Sequence, residues 1–187
     1  QAAKTHFQDA PWYLWPDEAL RRHEAAALEH WRAVLAEDVA FHTAVQYWFD
    51  TQWTAFKAYV NARGVKLIGD LPIYVSLDSA DVWSEREQFL LDGAGRPSKV
   101  AGVPPDYFSA DGQLWGNPLY NWSAMKRAGV GWWIRRLEGA ATRVDALRLD
   151  HFRAFESYWA VPAGAKTAKE GAWEKGPGMD LLRVLTG

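Results

Sequence analysis

A helical pattern followed closely by an apolar strand occurs twice in this chain, and few folds accommodate that arrangement. The first copy is FDTQWTAFKAYVNARG, residues 49–64. Phe49, Trp53, Phe56 and Val60 step by four, three and four onto one face, and Gly64 supplies the C-terminal cap. It leads into VKLIGDLPIYV, residues 65–75, a β-rich run interrupted at Gly69–Asp70. The second copy is MKRAGVGWWIRRLEGAAT, residues 125–142, read as one helix and followed by the strand VDALRLDHF, residues 144–152. Each copy is the αβ half of a βαβ unit. Two of them imply an α/β chain with about two central parallel strands and helices packed outside them.

The remaining segments fit around that frame. WPDEALRRHEAAALEHWRAVLAED, residues 15–38, has Pro16 and Asp17 at its head and Leu20, Leu28, Trp31 and Leu35 at near-helical spacing, so a helix is predicted. Between the two αβ copies lie about 40 residues with little periodicity. Structureless connections of that length are usually lids or binding loops. Residues 92–122 are expected to form one, with Tyr107, Phe108, Trp115 and Tyr120 open to solvent or ligand. AVPAGAKTAKEGAWEKGPG, residues 160–178, is predicted as a further loop, and MDLLRVLTG, from Met179, begins another helix.

Composition removes several function classes. The net charge of −2 over 187 residues, with no basic stripe, argues against nucleic acid as a partner. No cysteine is present, which excludes thiolate metal sites and fits a reducing cytoplasm. No apolar run reaches 18 residues, so no membrane-spanning helix is expected. His6, His23, His30, His42 and His151 lack paired metal-ligand spacing, and no metal is predicted. No G-x-S-x-G occurs, and GAGRPSK matches neither phosphate-loop spacing. The 12 Trp, beside 7 Tyr and 8 Phe, are read mostly as core, with some as platforms for flat ligands such as sugars.

Both predicted strands carry an aspartate where the apolar body gives out: Asp70, before Leu71–Pro72, and Asp150, before His151. In parallel α/β folds chemistry sits at the carboxyl ends of strands. A single aspartate there is more often a helix cap or turn former, but two at matching positions shift the balance toward a site. Arg148 and Asp150 are two residues apart on a strand, so their side chains leave the same face. A neighbouring guanidinium keeps a carboxylate ionised and restricts its rotamer, as a nucleophile at a sugar anomeric carbon requires. A buried structural ion pair is the other reading of that spacing.

ALRLDHFRAF, residues 146–155, resembles the strand-four motif of the α-amylase superfamily, with its arginine, nucleophilic aspartate and following histidine. KLIGDLPIYV, GVPPDYFSADGQLWGNPLYNW and AVPAGAKTAKEGAWEKGPG resemble, in the same order, segments of the amylomaltases, or 4-α-glucanotransferases. The likeness runs from KTHFQDAPW onward. It implies a (β/α)8 barrel that moves α-1,4-glucan segments between maltooligosaccharides with retention at the anomeric carbon, without a cofactor. By resemblance Asp150 is the nucleophile, Arg148 orients it and keeps it charged, and His151 and Asp70 contact donor-sugar hydroxyls. Residues 92–122 become an acceptor-side loop, with Tyr107, Phe108 and Trp115 as apolar faces for glucose rings and Asn117 as a polar anchor.

One departure accompanies the resemblance. Retaining transfer needs a second carboxyl as general acid/base, which the family carries as a glutamate at the tip of the next strand. Glu156, Glu170 and Glu174 do not stand in that register. The expectation is therefore that residues 1–187 are an internal fragment of the barrel, inactive alone, from an active parent. A non-catalytic carbohydrate-binding module and an α-glucan hydrolase of related fold stay open, as does the oligomeric state.

Overall fold

The computed structural model describes residues 1–186, which divide into two compact units: residues 1–69 with 141–147, and residues 70–140 with 148 onward. In the first unit the helices are α1 (Ala2–His6), α2 (Glu18–Arg21), α3 (Ala25–Val34) and α4 (Ala36–Asn61). The single helix predicted over 15–38 is thus broken. Asp17 caps α2, its side chain accepting from the Leu20 N–H at 3.0 Å and from Trp31 Nε1 at 2.7 Å. His23, at φ 59°, then stops the helix, and Leu35 separates α3 from α4.

Helix α4 starts 13 residues before the predicted 49 and ends where the glycine cap requires. Val65 N–H bonds back to Val60 O at 3.1 Å, across Gly64 at φ +78°. The predicted apolar face of α4 contains no buried residue. Phe49 and Trp53 stack on one another at 5.9 Å instead. The polar end of this helix grips the chain before the second strand. Trp53 Nε1 donates to Arg143 O at 2.7 Å and Lys57 Nζ to Val144 O at 2.8 Å. Asp145 accepts from Asn61 and from the Leu67 N–H, both at 2.8 Å.

Strands β1 (Ile68–Pro72) and β4 (Ala146–Asp150) pair with each other in parallel. The predicted interruption at Gly69–Asp70 does not occur: the strand runs through both residues and ends at Pro72. Gly69 lets the chain pass close to Val144, since a Cβ there would lie 3.0 Å from both of its methyls. Asp70 therefore sits in mid-strand, whereas Asp150 is the last residue of β4.

The second unit carries α5 (Ala80–Ser84), α6 (Trp122–Arg127), α7 (Gly131–Ala141) and α8 (Met179–Thr186). The predicted helix 125–142 is two helices, divided where Gly129 and Val130 take positive φ. The largest correction concerns the loops. The segment 92–122 contains β2 (Lys99–Val103) and β3 (Gln113–Pro118), and the segment 160–178 contributes to β5 (Ser157–Pro162) and β6 (Ala172–Lys175). These four form an antiparallel sheet in the order β3-β2-β5-β6. Val100, Ala101, Ala160 and Val161 are buried within it. Tyr120 is a second correction. It is buried, packed among Phe89, Trp122, Trp132 and Trp133 and stacked on Tyr74, and is unavailable to a ligand.

Candidate active site

All the residues singled out for chemistry belong to the second unit. In β1 and β4 exposed residues alternate with half-buried ones, so Asp70, Arg148 and Asp150 take the more open face of their strands. Arg148 makes a bidentate contact, but its partner is Asp70: Nε donates to Oδ1 at 2.9 Å and Nη2 to Oδ2 at 2.7 Å. The same Nη2 lies 3.4 Å from Asp150 Oδ1. The pair read from the two-residue spacing is thus the weaker half of a bridge, in which one guanidinium ties a mid-strand carboxylate to a strand-end one. Hydrogen bonding from Arg148, reinforced by its charge, holds the Asp70 carboxyl below its ordinary range, and Asp70 raises the guanidinium in return. Arg148, Asp70 and Asp150 remain half exposed or more, so they are not a buried structural ion pair.

Asp150 lies on the wall of a cleft of about 220 Å³, together with His151, Trp115, Asn117 and the segment Pro72–Tyr74. That volume is below the roughly 300–1,000 Å³ of pockets for drug-sized ligands and suits a single ring. His151 takes the left-handed conformation, φ 52° and ψ 43°, which few non-glycine residues adopt. The kink turns the chain sharply after β4 and brings the imidazole edge-on to Trp115, ring centroids 4.9 Å apart. Burial pushes the imidazole below its ordinary pKa, opposed by Asp150 and aided by Arg153. Trp115 in turn meets the Tyr74 ring at 6.3 Å. Asn117 Nδ2 donates to Val75 O at 2.9 Å, so it anchors the cleft wall to β3.

Tyr107 and Phe108 are not brought to this cleft. They sit edge to face at 5.6 Å on the β2–β3 connection, 98% and 93% exposed. Asp106 Oδ1 holds that turn by accepting from the Phe108 and Ser109 N–H groups. The downstream glutamates are occupied elsewhere: Ser157 donates to Glu156, and Glu174 is paired with Lys99 at 2.6 Å and accepts from Tyr158 at 3.1 Å. Glu170 ends a short 3-10 turn over 168–170. Sequence reasoning missed Pro72, Ile73 and Tyr74, because apolar residues inside a predicted strand run carry no signal of a cleft wall. Among the described residues no group of three or more His, Asp or Glu is arranged to hold a metal ion, and no helix is long and apolar enough to cross a membrane.

A family model described as 4-alpha-glucanotransferase matches residues 1–187. The 4-alpha-glucanotransferase of Thermus thermophilus is 53% identical over 175 residues, 94% of this chain and 35% of the relative. That of Streptococcus pneumoniae serotype 4 is 47% identical over 184 residues, 98% of this chain and 36% of the relative. Among solved structures, amylomaltase from Streptococcus agalactiae in complex with acarbose superposes with a TM-score of 0.94 at 43% identity, covering 98% of this chain and 37% of that one. The chain spans about a third of the length of these relatives. The two αβ units and parallel β1–β4 pair are those of part of a (β/α)8 barrel.

Proposed function

The chain belongs to the 4-alpha-glucanotransferase family, and on that premise we propose that the whole protein moves α-1,4-glucan segments between maltooligosaccharides by a retaining double displacement, with β4 supplying the nucleophile. The observation that carries this reading is the position of Asp150, at the end of its strand, on a ring-sized cleft and within reach of the guanidinium that Asp70 fixes. The relative solved with acarbose supports a glucan-like ligand for the same fold.

In the first displacement an Asp150 oxygen bonds to the anomeric carbon while the glycosidic C–O bond breaks and the departing oxygen takes a proton from a general acid. In the second, an acceptor hydroxyl gives its proton to the same group and attacks the anomeric carbon, and the ester to Asp150 opens. Two inversions give net retention. Asp70 and His151 are assigned to donor-sugar hydroxyls. Tyr107, Phe108 and Trp115 are assigned to acceptor glucose rings and Asn117 to their polar edge, with segment 92–122 as the acceptor side. The exposure of the Tyr107–Phe108 pair supports that assignment. No described glutamate joins Asp150 on the cleft wall, and Glu156 and Glu174 are engaged elsewhere. The 187 residues alone are therefore expected to release no product from maltotriose. The cysteine-free composition supports a cytoplasmic site, which cell fractionation with an antibody checks.

The deciding experiment is Asp150→Asn in the whole protein. Maltotriose disproportionation is expected to fall by about 10⁴-fold or more with glucan binding retained. Wild-type turnover by the variant would remove the nucleophile assignment. Product chromatography separates transfer from hydrolysis, and glucan binding without turnover by the wild type would favour a binding module.

A further inference from the structure

The chain at the end of β1 forms one wall of the cleft, and side chains hold its carbonyls. Arg136, on α7, donates Nη2 to Pro72 O at 2.6 Å and Nη1 to Ile73 O at 2.9 Å. Tyr120 donates its hydroxyl to Ile73 O and accepts from Arg136 Nη1 at 3.1 Å. We propose that Arg136 is a positioning residue for the transfer reaction, clamping consecutive carbonyls at the exit of β1 and so setting where the cleft wall stands against Asp150. This rests on the reading of that cleft as the transfer site.

Three features make the clamp stiff and consequential. The guanidinium lies over the rings of Trp132 and Trp133, at 5.2 and 5.0 Å, and both rings are buried, so the fork has a fixed seat. A planar guanidinium spans two acceptors at once, which an ammonium does not. The clamped residues also connect to both halves of the site. Pro72 is two residues past Asp70, the bidentate partner of Arg148. Ile73 precedes Tyr74, whose ring packs on Tyr120 at 5.9 Å and meets Trp115, the neighbour of His151. Loosening the clamp therefore displaces a carboxylate and a ring wall together, and misplacement of about 1 Å is enough to slow chemistry by roughly 10²-fold.

The test uses the whole protein with Arg136→Lys, Arg136→Ala and, in parallel, Asp150→Asn. Arg136→Lys is expected to fold, with a Tm close to wild type, and to lower kcat for maltotriose by about 10- to 100-fold with KM changed far less. Added guanidinium ion at millimolar concentration is expected to restore part of the kcat of Arg136→Ala, while ammonium does not. A folded Arg136→Lys variant with wild-type kcat overturns the proposal, and so does a kcat loss that tracks Tm and resists guanidinium. If Arg136→Ala fails to fold, Arg136→Lys decides alone. Asp150→Asn separates the two ideas: activity in that variant sinks the transfer-site reading, whereas its inactivity beside a wild-type-like Arg136→Lys sinks only the clamp.

Discussion

The tips of β1 and β4 and the antiparallel sheet β3-β2-β5-β6 are held by different forces. The sheet is built from backbone ladders, with Lys99 to Gly102 paired against Pro162 to Trp159, and it buries Val100, Ala101, Ala160 and Val161. Glycine makes the close approach possible: a Cβ on Gly102 would lie 2.6 Å from Gln113 O. Strands β1 and β4 themselves contain no buried residue, burial beginning only at Ile73 and Tyr74 past the end of β1, and their geometry comes from the Arg148 bridge and the Arg136 clamp. Backbone ladders and buried area resist unfolding. Exposed ion pairs add little stability but fix position. Substitutions at the tips should therefore cost activity without stability, and substitutions in the sheet the reverse.

After Asp150→Asn, the largest expected effect is at the other end of the bridge. Asp70→Asn removes one charge and one end of the bidentate contact, and in the whole protein should lower kcat/KM by about 10²- to 10³-fold through misorientation of Arg148 and Asp150. Tm at neutral pH should change little. A Tm loss proportional to the activity loss would erase the contrast between the regions. The carboxyl itself offers a direct reading. Asp70 should titrate below its ordinary 3.8 by carbon NMR and return toward it in Arg148→Gln. Because the folded pKa is depressed, the pair's contribution is present above the unfolded value and fades as pH falls through the folded one. Acid unfolding curves of the wild type and Arg148→Gln should therefore converge at the lowest pH.

Trp115 sharpens the contrast because it belongs to the sheet yet reaches the cleft, edge-on to His151. An aromatic wall that excludes water favours a sugar hydroxyl over water at the glycosyl-enzyme. Trp115→Ala should shift product from transfer to hydrolysis severalfold, read by chromatography from maltotriose. An unchanged ratio would remove Trp115 from the acceptor side. Gly102→Ala should show the opposite signature to Asp70→Asn. Overpacking against Gln113 O and Val161 is expected to destabilise by about 1–3 kcal/mol in urea unfolding, with turnover per folded molecule unaltered.

How much of this was legible in the sequence depended on the range of the interaction. The αβ repeats could be read because amphipathic spacing and the Gly64 cap are local, and Asp70, Arg148 and Asp150 because strand periodicity places side chains by face. Partner choice was not readable. Only tertiary structure decides that the Arg148 fork meets a residue 78 positions away before its own neighbour at two. The antiparallel sheet was missed for the same reason. Its strands are only four to six residues long, its central β2–β5 ladder pairs residues about 60 apart, and β3 and β6 join their neighbours through irregular Gly-containing connections, so no local period announces them. Tyr120 looked like a loop aromatic because nothing in GNPLYNW says that the backbone there runs inward. His23 and Val130 broke predicted helices by adopting positive φ, which is uncommon for any residue but glycine and an outlier for a β-branched valine.

The smallest expected effect lies in the aromatic layer beneath the clamp. Trp133 is fully buried, between Trp122 at 6.3 Å and Phe155 at 5.3 Å, and its indole N–H has no partner among the described residues. An unpaired buried donor costs roughly 1–3 kcal/mol, comparable to the packing lost when an indole becomes a phenyl ring. Trp133→Phe should therefore change stability by no more than about 1 kcal/mol. Trp159 is the matched control in the sheet: its Nε1 donates to Ala168 O at 2.7 Å, so Trp159→Phe loses a made hydrogen bond and strands an acceptor. Urea unfolding of the two variants should rank Trp159→Phe as the more destabilised. A reversed order would mean that the Trp133 N–H is satisfied in solution, by a bound water, and that the layer seating Arg136 is held by a polar contact as well as by ring packing.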